Sequence, residues 1–333
     1  MEVGSAERRK IEWGKPFRDY GVVLLVLGMV VGLTILEPDY FLTTQNLTNV
    51  LRQVAMNALL ALGLYLVILT AGIDLSVGSI MALALMVLAL ADSVGVPWPI
   101  VLTIGPIIGI AVGLINGLGL TVLRLPHPFI MTLGTLYSIR GISNLITDGR
   151  PVTGISEPIR FLGSGEIPLH LENTFARLPV SAIVILVCYM GVALFLRNFS
   201  VGRHIYAVGG NPEAARVSGI NVNGILLFVY AMSGFFAGLA ALVMGGRTGS
   251  AFPNVGMGAE LDAIAAVIIG GASFFGGRGT VLGVFAGVLV MGLLRNGLNL
   301  MNVSAFWQQT LIGIVLVLAV YVDVLRRRLS AAG

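Results

Sequence analysis

Acidic side chains stand where long apolar runs begin, and a carboxylate in such a place can do chemistry. Asp74 lies in the segment TAGIDLSVGS, between the turn-like pair Ala71–Gly72 and an apolar run, and Asp262 opens another run. If the runs are membrane helices, an acidic group at a helix end is costly and is often functional. It can equally cap the free amides of the first helical turn without any further role. We give the two interpretations equal weight, and the same two interpretations apply to Glu260.

Amide side chains within the apolar runs are the second feature with chemical meaning. Amide donors and acceptors suit a neutral, hydroxyl-rich solute, and an aromatic ring such as Phe129 or Tyr137 could stack on it. Many of these groups are expected simply to bond neighbouring helices, so the pattern is compatible with a sugar without being diagnostic of one. The candidates for a solute path or gate are Asp74, Asn116, Phe129, Asp262 and Asn296.

Catalytic and metal-binding motifs are missing from the sequence. His127, His170 and His204 are widely separated, which argues against a metal site. No GxxxxGK[ST] segment occurs, and the glycine-rich stretch Gly270–Gly279 lacks the lysine that reaches a phosphate. No nucleophile elbow is visible either. We therefore expect no catalytic residues, no metal, no cofactor and no ATP hydrolysis by this chain itself, so it is not expected to be an enzyme.

The composition identifies the environment in which these residues work. Of 333 residues, 56% are apolar and only 11% are charged, against about 25% charged in ordinary globular domains. The charges sit in a few short stretches between long apolar runs, as in an integral membrane protein. The net charge of +4 is explained by membrane topology rather than by nucleic acid. The single cysteine, Cys188, lies inside an apolar run and permits no intrachain disulfide.

Ten apolar runs set the architecture. A bilayer core needs roughly 20 apolar residues per helix, and the runs at 75–91 and 261–275 are shorter, so they could be tilted, broken or re-entrant. The sequence predicts an all-α integral membrane protein with about ten transmembrane helices in a domain spanning 20–325. The runs are 20–36, 54–70, 75–91, 99–123, 128–146, 179–196, 224–244, 261–275, 281–301 and 306–324.

Basic residues orient these spans, because cytoplasmic segments beside a membrane are enriched in Lys and Arg. Five basic residues precede the first span, and Arg326, Arg327 and Arg328 follow the last. Both tails, 1–19 and 326–333, are therefore predicted to be cytoplasmic, and no signal peptide is expected. The segment 147–178 is then an external loop, and 198–223 is the longest cytoplasmic connection.

A faint internal repeat relates the two halves of the chain. GLINGLGL in the fourth run and LLRNGLNL in the ninth run match at five of eight positions, including Asn116 with Asn296. An offset of five spans reverses direction, so the halves would form an inverted pair with the solute path near their interface. Apolar low complexity also produces such matches by accident, and we give the two explanations even odds.

Glycines spaced four residues apart line up on one side of a helix, where a neighbouring backbone can approach closely. Packing is the preferred role for them over contact with a solute. In the fourth run the glycines are Gly105, Gly109, Gly113 and Gly117, and in the ninth they are Gly279, Gly283 and Gly287.

The cytoplasmic connection contains GGNPEAARVSGI, from Gly209 to Ile220. A proline at the first helical position and Gly219 at the end predict a short amphipathic helix. It could be an ordinary connection. It could also be a docking site for a partner protein, since the small residues Ala214 and Ala215 permit the partner to approach closely.

Four blocks in order along the chain resemble the ribose-type branch of the sugar ABC permeases. They are TAGIDLSVGSIMAL (70–83), PHPFIMTLGTLYSIRG (126–141), GRHIYAVGGNPEAARVSGI (202–220) and ELDAIAAVIIGGASFFGGRGT (260–280). In the third block, Glu213, Ala214, Ala215 and Gly219 fit the loose signature of the ATPase-docking segment in binding-protein-dependent ABC importers.

The resemblance implies a multi-pass permease subunit of the bacterial inner membrane that imports a monosaccharide by alternating access. It also implies three partners: a cytoplasmic ABC ATPase, an extracytoplasmic sugar-binding protein and a second permease chain in a homodimer or heterodimer. Relatives in the same superfamily carry nucleosides, branched-chain amino acids or a furanosyl signal molecule, so the cargo stays open.

Two alternatives come from other classes. A cation-coupled secondary transporter would carry unpaired acidic groups in mid-span, whereas most carboxylates here lie at the ends of runs. A membrane scaffold or enzyme is weakened by the missing catalytic set.

Overall fold

The structure is a computed structural model that describes residues 14–171 and 174–331. Within these residues the backbone forms thirteen helices and four short strands, which confirms the predicted helical class. The helices are α1 (Gly14–Leu36), α2 (Thr44–Leu69), α3 (Val77–Ser93), α4 (Trp98–Thr121), α5 (Pro128–Leu145), α6 (Glu157–Ser164), α7 (Val180–Asn198), α8 (Ser200–Gly210), α9 (Pro212–Val217), α10 (Val222–Thr248), α11 (Ala259–Ile269), α12 (Val281–Leu300) and α13 (Ala305–Ala331).

The strands form two antiparallel pairs. β1 (Val152–Thr153) pairs with β4 (Ser250–Ala251), and β2 (Glu166–Leu171) pairs with β3 (Thr174–Pro179) as a hairpin.

The segment 147–178 is more structured than a simple loop, since it holds β1, α6 and the hairpin. Helix α6 packs on α10 so closely that a Cβ added at Gly163 would clash with the backbone of α10. Its preceding residue, Ser156, donates from its backbone N–H to the Asp92 carboxylate at the end of α3, at 2.7 Å. The segment is therefore fixed to the helical bundle.

Each of the ten predicted runs contains a helix, but the helices differ in length. By length and composition, six are able to cross a membrane: α2, α4, α7, α10, α12 and the part of α13 up to Leu325. Helix α3 has 17 residues and α11 has 11, or about 25 and 16 Å at 1.5 Å per residue, against a hydrocarbon core of about 30 Å. The predicted count of ten spans is therefore not confirmed.

The helices also extend into the predicted tails. Helix α1 begins at Gly14 and α13 ends at Ala331, so 1–19 and 326–333 are partly helical. The rest of both tails lies outside the described residues.

Helix α2 forms the centre of the bundle. Every residue from Ala58 to Leu69 is buried, because the helix contacts α7, α10, α11 and α12 on its different sides. A helix that is apolar all round is expected in such a place. By contrast, only 11% of the most apolar window of α13 is buried, against 72% for α2. The periphery therefore presents apolar side chains outward, as a lipid environment requires.

Helices α4 and α10 cross in antiparallel fashion with their backbones in contact. At the crossing, glycine on one helix faces glycine on the other, so that a Cβ added to either would meet a backbone carbonyl. Close approach of this kind needs small residues. The facing pairs are Gly105 with Gly238, Gly109 with Gly234, Gly113 with Tyr230 and Gly117 with Leu227.

Glycines of α12 make a second close contact. A Cβ added at Gly283 or Gly287 would clash with a backbone carbonyl of α11 or of the residue that ends it. Gly279 does not share this face, because it precedes the start of α12 and has a φ of 149°. A Cβ added at Gly279 would lie 2.9 Å from the ring of Tyr65 on α2.

Candidate functional site

The chain between α2 and α3 breaks the helical path inside the bundle. Helix α2 ends at Leu69 and α3 begins at Val77, and Ala71 takes a left-handed conformation with a φ of 59°. Asp74 lies in this break and is fully buried. The break therefore places a carboxylate among packed helices rather than at a membrane surface.

Neutral groups surround the Asp74 carboxylate. Its Oδ1 accepts hydrogen bonds from the backbone N–H of Ser76 at 3.0 Å and from the Ser76 hydroxyl at 2.6 Å. Its Oδ2 accepts from the hydroxyl of Ser233 on α10 at 2.8 Å. Asp74 thus joins the start of α3 to α10, so it does more than cap the helix that follows it.

Asn116 extends this cluster to a third helix, α4, and to a fourth, α5. Its Nδ2 donates to the Ser76 hydroxyl at 2.8 Å and lies 3.5 Å from Asp74 Oδ1, while its Oδ1 accepts from the Thr135 hydroxyl of α5 at 2.7 Å. All of these residues are buried. We call Asp74, Ser76, Asn116, Thr135 and Ser233 the Asp74 cluster.

The Asp74 cluster lies nearer one end of the bundle than the other. Asn116 is five residues before the end of α4. That end of α4 lies beside the start of α10, because the two helices are antiparallel. Tyr230, eight residues into α10, donates its hydroxyl to the carbonyl of Ile73 at 3.2 Å. At 1.5 Å per residue these positions lie about 8–12 Å from the helix ends that face α9.

The start of α11 carries two further acidic residues, Glu260 and Asp262. Asp262 forms an ion pair with Arg295 of α12, in which the side chains are 11% and 37% exposed. Glu260 packs beside α3, since a Cβ added at Gly78 would lie 2.6 Å from Glu260 Oε2. Arg140 of α5 donates to two carbonyls of the loop before α11, at 2.8 Å each. The two short helices, α3 and α11, therefore begin beside each other within the bundle.

Asn296 and Phe129 lie apart from these groups. Asn296 forms a pair of amide hydrogen bonds with Asn46 of α2, at 2.7 and 3.1 Å, and is 4% exposed. Phe129 is the second residue of α5, 44% exposed, one turn before Thr132. Of the five path candidates, the structure brings together only Asp74 and Asn116.

Helix α9 is the short helix expected in 198–223, and it directly follows α8. Asn211 caps it, because its Oδ1 accepts from the backbone N–H groups of Glu213 and Ala214, both at 3.0 Å. Gly219 follows with a φ of 83°, a conformation that glycine adopts readily.

The exposed face of α9 differs from the expected one. Ala215 is 4% exposed and packs inward, whereas Val217 is 89% exposed. Glu213 and Arg216 form an exposed ion pair beside it at 2.8 Å. Ala215 is therefore not available to a docking partner, and Val217 forms the exposed apolar surface of α9.

The end of α8 touches two other segments of the bundle through their backbones. Gly277, in the loop before α12, donates its N–H to the carbonyl of Leu69 at the end of α2, at 2.9 Å. A Cβ added at Gly209 of α8 would clash with the same carbonyl, and one added at Gly276 would lie 2.8 Å from the Gly209 oxygen. We call this contact of α8, α2 and the α11–α12 loop the glycine junction.

A tyrosine pair reinforces the glycine junction. The hydroxyls of Tyr65 on α2 and Tyr206 on α8 are 2.8 Å apart, and Tyr206 donates to the Gly279 carbonyl at 3.1 Å. Sequence reasoning missed these tyrosines, as it missed Ser233 and Val217. Tyr65 and Tyr206 are 141 positions apart, so no local pattern relates them.

Apolar helices long enough to span a bilayer, together with short helices that begin inside the bundle, define a multi-pass membrane protein of the transporter type. The chain matches, over residues 46–320, the family described as the branched-chain amino acid transport system / permease component, and it belongs to that family. It is therefore a transport permease component of the bacterial inner membrane.

Curated relatives extend the match along nearly the whole chain. The ribose import permease protein RbsC of Bacillus subtilis is 40% identical over 319 residues, covering 96% of this chain and 97% of the relative. RbsC of Haemophilus influenzae is 39% identical, covering 91% of each chain. The D-allose transport system permease protein AlsC of Escherichia coli is 38% identical, covering 96% and 95%. These matches confirm the resemblance found in the sequence, and no solved structure matches.

Proposed function

We propose that this chain is the membrane permease subunit of an ABC importer that carries a monosaccharide. The observation that carries the proposal is the similarity, over more than nine tenths of the chain, to proteins named ribose and allose permeases. The name of the family mentions branched-chain amino acids, so an amino acid, a nucleoside or a furanosyl signal molecule is the alternative cargo. An aldopentose or aldohexose agrees better with the named relatives.

The proposed orientation has α8 and α9 in the cytoplasm, together with both chain termini. Basic residues at both ends of the chain support this orientation by the positive-inside rule. Residues 20–325 then form the permease domain, 147–178 lie outside, and 198–223 face the ATPase. About ten crossings remain part of the proposal, with α3 and α11 as helices that begin within the membrane.

Helix contacts support an inverted repeat in which α2 to α5 correspond to α10 to α13. Helix α3 contacts α4, α5 and α10, and α11 contacts the corresponding helices α12, α13 and α2. Helix α4 contacts α10, and α12 contacts α2 in the same way. Four pairs of corresponding contacts support the proposed repeat.

Helix α9 is the proposed site of coupling to the ATPase. Its exposed surface offers Val217 with the Glu213–Arg216 ion pair beside it, while Ala214 is exposed and Gly219 ends the helix. A partner that moves α9 would move α8, because α8 directly precedes α9 and only Asn211 separates the two helices. The glycine junction then passes the movement to α2 and to the loop before α12, because backbones in direct contact cannot slide independently.

Alternating access is the proposed mechanism. A loaded sugar-binding protein docks outside, the ATPase pair closes inside, and a second permease chain completes the path. The Asp74 cluster would act as a fixed point, since its hydrogen bonds are satisfied within the bundle. Asp262, Asn296 and Phe129 stay candidates for the path or gate.

A reconstituted transporter tests the proposal. The permease, its ATPase and its binding protein are placed in proteoliposomes, and uptake of labelled D-ribose is measured with ATP inside. We expect Val217→Arg to abolish ATP-driven uptake, because a charge replaces the apolar contact, whereas Val217→Ile keeps the apolar surface and retains uptake.

Both variants should insert and melt like the parent, since Val217 is exposed. Equal uptake by Val217→Arg and the parent would refute the coupling role. Uptake by the permease alone on an ion gradient would instead establish a secondary transporter.

A further inference from the structure

A polar cavity of about 330 Å³ opens beside the first turns of α2. Thr44, Gln45, Thr48, Asn49 and Arg52 of α2 line one side of it, and their spacing places them on one face of the helix. The β2–β3 hairpin supplies Glu166 and Arg177 on the other side. We call this cavity the α2 pocket. Its volume falls at the lower end of the range of small-molecule sites.

An ion-pair network holds the wall of the α2 pocket in place. Arg52 donates to Glu166 Oε1 at 2.6 Å and to the carbonyl of Ser164 at 3.1 Å, and Arg177 donates to Glu166 Oε2 at 3.0 Å. The Glu166 carboxylate therefore bridges two guanidinium groups. Charge-assisted hydrogen bonds of this kind fix geometry well, so the pocket has a rigid side and a side of adaptable amides.

Two polar atoms in this region are buried without a hydrogen-bond partner among the described residues. They are Nε of Arg52, in the wall, and Oδ1 of Asn57, which follows Arg52 along α2 by five residues, or about 7 Å. Buried polar atoms normally have hydrogen-bond partners, so an unpaired atom marks a place where a water or a solute group can bind. Of these two unpaired atoms, Arg52 Nε belongs to a residue that lines the pocket.

The α2 pocket lies at the opposite end of the bundle from the glycine junction. Leu69, which joins that junction, follows Arg52 by 17 residues on the same helix, about 25 Å at 1.5 Å per residue. In the proposed orientation the junction is cytoplasmic, so the pocket opens on the outside. A solute released there would meet the pocket before any other part of α2.

We propose that the α2 pocket is the external entry site of the permease and that it takes a neutral, hydroxyl-rich solute of monosaccharide size. The inference rests on the proposed import function and adds a site to it. Hydroxyl, amide, carboxylate and guanidinium groups together provide both donors and acceptors for ring hydroxyls.

The chemistry of the lining also separates the candidate cargoes. None of the seven lining residues is aromatic or aliphatic. A nucleoside base would be expected to stack on an aromatic ring, and a branched-chain side chain would need apolar contact. A pocket without a stacking surface holds a sugar weakly, which suits a site that must pass its solute onward.

The test replaces exposed amides of the pocket and leaves its ion-pair network intact. Gln45→Leu and Asn49→Leu each remove one hydrogen-bonding group, and Gln309→Leu on α13, an exposed glutamine outside the pocket, is the matched control. D-ribose binding to the purified permease in nanodiscs is followed by saturation-transfer NMR. D-ribose uptake by the complete reconstituted transporter is measured at saturating binding protein.

We expect each pocket variant to lose the D-ribose signal and to lower uptake about tenfold, as the loss of one or two hydrogen bonds predicts. The control should match the parent. If the parent imports D-ribose and both pocket variants import it equally well, the proposal that the α2 pocket is an entry site is wrong, while the proposed import function stands.

Two further outcomes separate the hypotheses. Suppose the parent imports none of D-ribose, D-allose, D-galactose and D-xylose, yet the permease alone gives a D-ribose signal that both variants lose. The pocket then stands as a polyol site and the proposed function fails. If the variants instead weaken docking of the binding protein but transport normally once it is saturating, the pocket is a protein contact and the inference is overturned.

Discussion

Replacing Gly105 by alanine tests whether the contact between α4 and α10 depends on missing side chains. A Cβ added at Gly105 would lie 2.6 Å from the carbonyl oxygen of Gly238, whereas ordinary contact begins near 3.4 Å. The two backbones would therefore have to separate by about 0.8 Å. Gly134 of α5 provides the matched control, because a Cβ added there meets nothing within 4 Å.

Two opposing effects set the size of the change. Glycine to alanine within a helix gains about 0.5–1 kcal/mol through reduced backbone freedom in the unfolded chain. Overpacking at a close contact costs about 1–3 kcal/mol, and a gap of 0.5–1 Å forfeits a quarter to a half of each dispersion contact beside it. We expect Gly105→Ala to be destabilised by about 0.5–2 kcal/mol and Gly134→Ala to be neutral or slightly more stable.

The single cysteine supplies the assay. Cys188 lies on α7 and is partly buried, so a thiol-reactive dye reports unfolding of the purified chain in detergent. A loss of about 2 kcal/mol corresponds to a fall of roughly 4–8 °C in melting temperature. If both alanine variants melt at the same temperature, the α4–α10 crossing does not require glycine and the packing argument fails.

Three further predictions use the melting assay in detergent or the reconstituted transporter. Asp74→Ala should destabilise the chain by about 2–4 kcal/mol, because three buried donors lose their acceptor, and an unchanged melting temperature would contradict the role given to the Asp74 cluster. Ala215→Leu should lower the melting temperature through overpacking, while Ala214→Leu should not. If both variants had the same melting temperature, Ala215 would not be on the buried face of α9. Tyr206→Phe should reduce the sugar imported per ATP hydrolysed at a stability cost of only about 1 kcal/mol, and an unchanged ratio would remove the tyrosine pair from the coupling route.

Local features of the fold could be predicted from the sequence because their signals are local. Pro212 and Gly219 predict α9 within eight residues, and the structure places a first turn and a left-handed end at those positions. Every apolar run likewise contains a helix. Span number was less predictable, since a run such as 261–275 does not reveal that its helix ends at Ile269.

Long-range partners could not be predicted in the same way. Asp74 was weighed as a cap or a path residue, and its contact with Ser233 lies 159 positions away along the chain. The orientation of Ala215 was also beyond reach, because one turn of amphipathic sequence does not show which small residue faces the bundle. These choices depend on how helices pack, and packing is a property of the whole chain.

The carboxylates of Asp74 and Asp262 lie in different surroundings. Asp74 precedes α3 and is enclosed by hydroxyl and amide groups, with no exposed surface. Asp262 lies in the first turn of α11, and its partner is the charged Arg295, which is 37% exposed while Asp262 is 11% exposed. Satisfied buried networks rigidify the elements they join, and opening an ion pair whose carboxylate is buried leaves an uncompensated charge, which is costly. A movement that separates α11 from α12 would therefore have to break the Asp262–Arg295 ion pair. The glycine junction makes a different connection, since it joins α8 directly to the loop between α11 and α12.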